Sequence, residues 1–129
     1  MFKRLFDSTF VHMLGAFIAM GSWAYIANRM HPFETAMASA VLQGLLSATI
    51  TFFMKKALEA LAAMFRRRSL GMASLIAPPL ITCTASLLVL VGAHMTLGTP
   101  ELIATISIPF SVAFSYACLY SFRLWVKHK

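Results

Sequence analysis

Apolar residues in this chain come in four long runs, separated by short stretches that hold nearly all the charge. The runs cover residues 9–27, 33–54, 78–97 and 102–122. Each has about the 20 residues that a helix needs to cross a hydrocarbon layer about 30 Å thick. Backbone inside such a layer must satisfy its own hydrogen bonds, so each run predicts a membrane-spanning α-helix. The expected fold is all-α: one polytopic membrane domain over residues 1–129, with four transmembrane helices in two hairpins and both termini inside. Lys3 and Arg4 precede the first run as they would in a signal peptide. That run is longer than the usual apolar stretch of about 7–15 residues and closes without a small-x-small cleavage pattern, so a retained helix is expected.

The second run is two-sided. In steps of four it carries a small row, Ala36, Ala40, Gly44 and Ala48, and a polar row, Thr35, Ser39, Gln43, Ser47 and Thr51. Rows offset by three residues adjoin on a helix. Val41, Leu42, Leu45, Leu46, Ile50 and Met54 cover most of the remaining surface. Helices associate in lipid through close packing of small residues and interhelical hydrogen bonds. The small row is therefore the expected helix-packing surface, serving a homo-oligomer or a membrane-protein partner. The intramembrane polar candidates are Ser39, Gln43, Ser47 and Thr51. Gln43 sits near the middle of its run, and lipid satisfies neither its donors nor its acceptor. It predicts an interhelical bond or a polar route. Ser107, Ser111 and Ser115 form a weaker row in the fourth run, since serines also bond their own backbone.

Residues 55–71 separate the second and third runs and place Leu58, Leu61 and Phe65 on one face. Glu59 follows Lys55 by four residues, a pairing distance on a helix. A basic amphipathic helix is expected here, lying on the inner membrane surface or continuing the second membrane helix, with a solvated loop as the alternative. Anionic lipid is the expected counter-charge for Lys55, Lys56, Arg66, Arg67 and Arg68. Pro78 and Pro79 remove two amides and restrict Ala77. They predict that the third helix starts at residue 78, or that it kinks there if it begins near residue 72. Pro32 with Glu34, and Pro100 with Glu101, suit the first turns of the second and fourth helices.

Composition agrees with the pattern. The chain is 60% hydrophobic and 12% charged, where a soluble domain carries about 25% charged residues. Too little charge remains to coat a globule in water, and the expected partner is the lipid bilayer. A net charge of +7 would suggest nucleic acid in a soluble domain. Here ten of the eleven Lys and Arg lie near the chain ends or in residues 55–71, and only Arg29 lies between the first two runs. This is the bias that sets membrane orientation. It predicts cytoplasmic termini in a bacterial-type plasma (inner) membrane and no nucleic-acid role. Trp23 and Tyr25 at one level, and Tyr116, Tyr120 and Trp125 at the other, suit interfacial aromatic belts.

Candidate chemistry is sparse. His12 and His94 are the intramembrane ionisable residues. Each lies about 9 Å from the middle of its helix, on opposite sides, so they cannot share a metal ion. Both are expected at helix interfaces. Cys83 and Cys118 show no zinc spacing, and packing is their expected role. No metal and no cofactor are expected. Asp7, Glu34, Glu59 and Glu101 all lie toward helix ends, which argues against a carboxylate-based proton antiporter. With no catalytic triad, phosphate loop or zinc-protease helix in the sequence, an enzyme is not expected. The size and four-helix plan are similar to those of small multidrug transporters and GtrA-like flippase proteins. That resemblance is architectural, and the multidrug family's acidic residue within the first membrane helix is absent here. Three functions are compatible: a membrane protein acting through helix–helix association, a small-solute transporter or channel working as a dimer, and a holin-like pore former.

Overall fold

The computed structural model describes residues 8–128; Lys3, Arg4, Asp7 and Lys129 lie outside them. The chain forms α1 (Thr9–Ala27), α2 (Phe33–Arg67), α3 (Ala73–Leu97) and α4 (Leu102–Lys127). All four are long and apolar enough to cross a membrane. Among the described residues α2 packs against each of the other three helices, while α1 and α3 do not touch. An apolar core of Met54, Leu58, Cys83 and Ala117, flanked by Ile50, Phe110, Ala113 and Tyr120, joins α2, α3 and α4.

At two boundaries the helices extend past the apolar runs, each in the way one of the sequence readings allows. The second run does not end at residue 54, because α2 continues as one helix of 35 residues to Arg67. The stretch from Ala57 to Ala63 consists of Ala, Leu and Glu, all strong helix formers. The chain turns only at Ser69 and Gly71, both with positive φ. Leu58 and Ala62, one turn apart, are buried and continue the inner face of the helix. At about 1.5 Å per residue α2 is about 52 Å long, well beyond a hydrocarbon core of about 30 Å. Lys55 and Lys56 are exposed on its extension, and Lys56 lies over the Phe52 ring, 4.3 Å from its centroid. Glu59 accepts the Tyr120 hydroxyl of α4.

The third helix starts at Ala73, so Pro78 and Pro79 lie inside it and are buried. Pro79 has no N–H to offer the Leu75 carbonyl one turn earlier. Ser121 of α4 supplies the missing donor, its Oγ lying 2.7 Å from that carbonyl oxygen. Thr82 Oγ1 donates to the Pro78 carbonyl at 2.9 Å. The Ser121 hydroxyl thus stands in for the amide that Pro79 lacks, and the Thr82 hydroxyl adds a bond within the proline turn.

The small row of α2 faces α1 of the same chain. A Cβ at Gly21 would stand 3.0 Å from the Ala40 carbonyl oxygen and 3.6 Å from Gly44 Cα. A Cβ at Gly44 would stand 2.9 Å from the Phe17 ring. Ala36 and Gly44 are buried, and Ala40 and Ala48 half-buried. At Ala40 and Gly44 the row is thus packed against α1 within one chain.

Gly21→Ala is expected to destabilise the fold by about 1–3 kcal/mol, because the obstacle is backbone. Gly44→Ala meets a ring that can turn and should lose less. Thermal unfolding in detergent ranks the two. Ser121→Ala is expected to lose about 1 kcal/mol by baring the Leu75 carbonyl. Pro79→Ala restores an amide there, so the Ser121→Ala loss should shrink in that background. Additive losses in this double-mutant cycle would show that the hydroxyl does not serve that carbonyl.

Candidate functional site

The two loops joining α1 to α2 and α3 to α4 meet at one end of the bundle, where His31 Nε2 lies 3.0 Å from Glu101 Oε1. Asn28, fully buried, ties them together. Its Nδ2 donates to the Ala24 carbonyl at 2.8 Å and to Thr105 Oγ1 at 2.7 Å. Its Oδ1 accepts the Glu101 N–H at 3.1 Å. One side chain thereby closes the end of α1 and the start of α4, where backbone groups lack helical partners. Trp23 Nε1 adds a bond to the Ala104 carbonyl at 2.8 Å.

Deeper in the bundle lies a column of buried polar side chains. His94 of α3 is fully buried. Its Nε2 lies 2.8 Å from Gln43 Oε1, and its Nδ1 lies 2.7 Å from Thr99 Oγ1. Gln43 Nε2 donates to Ser47 Oγ at 2.8 Å, and Ser39 Oγ donates to Thr99 Oγ1 at 3.3 Å. An amide oxygen only accepts, so the proton on neutral His94 belongs on Nε2 and Nδ1 accepts from Thr99. Donation then runs one way, from Ser39 through Thr99, His94 and Gln43 to Ser47. No buried side-chain nitrogen or oxygen among the described residues lacks a partner.

Local sequence explains the assembly. Ser39, Gln43 and Ser47 share one face of α2 through their four-residue spacing. Gly98 ends α3 in the left-handed region at φ 84°, a conformation glycine adopts without strain. The Gly98 and Thr99 amides both bond the His94 carbonyl, at 2.9 and 3.0 Å. That turn folds Thr99 back onto His94.

A cavity of about 280 Å³ opens at the paired-loop end, lined by Glu34, Thr35, Ala38, Ser39, Leu97, Gly98 and Thr99. Ser39 and Thr99 belong to both cavity and column. Past Ser47, the half-buried Thr51 leads only to the apolar core around Met54 and Leu58.

The structure thus gathers Ser39, Gln43, Ser47 and His94 into one site and leaves Thr51 beside it. His12 does not join: it is exposed on α1. Cys83 and Cys118 are free thiols. Asn28, Thr99 and Thr105 belong to the site region although the sequence patterns above do not mark them. The available signal was Gly98 just past an apolar run, which forecasts a helix-ending turn that reverses the next residue.

Fold and site together define a small all-helical protein with four helices able to span a membrane. Comparison with family models, with curated proteins and with solved structures finds no match.

Gln43→Leu is expected to strip His94 of its acceptor and destabilise the fold by about 1–2 kcal/mol. Gln43→Leu with His94→Leu should recover part of that loss, since both buried partners are then apolar. Detergent unfolding of the two single variants and the double variant measures the coupling.

Proposed function

We propose that this protein is a small multi-pass membrane protein that admits a small, neutral, hydrogen-bonding solute from the paired-loop side, as half of a dimeric transporter or channel. The observation that carries the reading is a cavity floored by a buried polar column and sealed beyond it by apolar packing. Hydroxyls, an imidazole and an amide are costly inside a bilayer, and polar groups in such places mark solute and ion pathways. Gln43 interrupts the hydroxyl and imidazole groups with an amide, which suits solute recognition better than proton passage. Four helices enclose little space, and a second copy would complete a route. The basic extension of α2 supports a plasma-membrane orientation with the cavity outside and both termini in the cytoplasm. Lys55, Lys56, Arg66, Arg67 and Arg68 would then meet anionic lipid of the inner leaflet.

An assembly role is the second reading. His12 is exposed between exposed or half-buried apolar neighbours on α1, and a partner helix would satisfy its ring.

With Cys83 and Cys118 replaced by alanine, Thr35→Cys and Ala38→Cys, at accessible positions of the cavity lining, are expected to react with an impermeant maleimide added to intact cells, and Ser47→Cys is not. Vesicles holding the protein are expected to admit urea or glycerol faster than empty ones, and Gln43→Leu should slow that entry. Entry equal to that of empty vesicles for both probes, with Thr35→Cys and Ala38→Cys unlabelled, would return the assembly reading to first place.

A further inference from the structure

A second concavity, of about 460 Å³, runs along the seam of α1 and α2. Phe17, Ile18, Tyr25, Met37 and Val41 line it, with Gly21 among them. Ile18, Tyr25, Ile26, Met37 and Val41 are all exposed, so the groove opens on the bundle's outer surface. From Phe17 to Ile26 it extends for about 14 Å along α1, close to half of a hydrocarbon core about 30 Å thick. Its depth is that of one leaflet.

The loop end of this groove carries a cation. Ile26 is part of the lining, and Arg29 follows it by three residues. Arg29 Nη1 lies 3.4 Å from the Ile26 carbonyl oxygen, which keeps the guanidinium at the end of α1, beside a residue that lines the groove. That contact is long and uses one N–H of five. Among the described residues no carboxylate lies within ion-pairing distance of Arg29, and Glu101 is engaged by His31, Oε1 to Nε2 at 3.0 Å. Arg29 is also the only Lys or Arg between Arg4 and Lys55.

The geometry points to a bound phospholipid: one acyl chain lies in the α1–α2 groove, and its phosphate is held by Arg29. A guanidinium fork matches phosphate oxygens. The groove offers the chain an apolar bed fixed by the close approach of Gly21 to α2. A second copy of the protein is the competing occupant of the apolar groove, and the test below separates the two. This assignment is independent of the solute reading, which concerns the other cavity.

The test uses the full chain in phosphatidylcholine vesicles containing a minor fraction of phosphatidylglycerol with a photoactivatable acyl chain. Irradiation followed by peptide mass spectrometry should place label on Met37 and Val41 well above Leu119, which is 72% exposed on α4 and reports ordinary lipid contact. Arg29→Ala should lower that ratio roughly fivefold, the worth of one basic residue near anionic lipid. Arg29→Lys should retain most of it. Ser22→Phe, made at an exposed groove position, should bring labelling down to the Leu119 level. Excess unlabelled phosphatidylglycerol should compete, and inorganic phosphate should not. Equal labelling at Met37 and Leu119, a ratio unmoved by Arg29→Ala, competition by inorganic phosphate, or a cross-link between two copies through Val41 that excludes lipid would each overturn the assignment.

Discussion

A polar group surrounded by hydrocarbon must find its partner in the protein, and most of this structure can be read as answers to that constraint. Lipid offers no hydrogen bonds, so the penalty for a bare donor or acceptor is not relieved by solvent. Gln43, His94, Thr99, Ser39 and Ser47 satisfy one another. Asn28 serves two helix ends at once. Ser121 answers a carbonyl that proline had deprived of its amide. These bonds also fix which helices are neighbours, because each can form only with a particular partner side chain or carbonyl in reach.

Apolar packing supplies the other half of the arrangement. Two adjacent rows on α2 point in different directions and serve different neighbours. The small row lets α1 approach until Gly21 meets the Ala40 carbonyl. The polar row turns toward α3 and the loop after it, where His94 and Thr99 wait. This split makes α2 the central helix, and it explains why α1 and α3 need no contact. Shape decides one side of the helix and hydrogen bonding the other.

The four helices were legible in the sequence because span length and mean hydropathy are summed properties that survive local error. Their ends were less so. Lys55 and Lys56 read as the end of a span, yet charge marks where a helix leaves the hydrocarbon and does not stop the helix itself. The alanine- and leucine-rich stretch beyond them carries α2 onward. Pro78 and Pro79 read as a helix start or as a kink, and the choice stayed open because a sequence shows the missing amides and hides the donor on α4 that compensates for one of them. Gln43 and His94 each stood out as polar residues in apolar runs, but their pairing lies 51 positions apart in the chain. Thr99 was hidden for another reason: its part depends on the left-handed turn at Gly98, and a threonine beside a glycine is ordinary loop sequence. His12 carries the same apparent signal as His94 yet faces outward, since its place on α1 lies away from both rows of α2.

The bundle is polar toward one end and apolar toward the other, and Pro78 and Pro79 of α3 lie in the apolar half. If a solute is to cross, that half must part. α3 is the helix least held by its own backbone there: Pro78 and Pro79 remove two amide donors from its early turns. What holds the segment instead is borrowed from α4, through Ser121 and the shared packing of Cys83 with Ala117. Tyr120, the residue beside Ser121, is in turn bonded to Glu59 on the extension of α2. Three helices are therefore joined at the closed end through side chains rather than through continuous helical bonding. Side-chain bonds can be exchanged one at a time, whereas a helix that lost its own ladder in hydrocarbon would bare several groups together. The prolines thus concentrate the cohesion of the closed end into a few exchangeable contacts, and the column at the other end is left to hold its geometry.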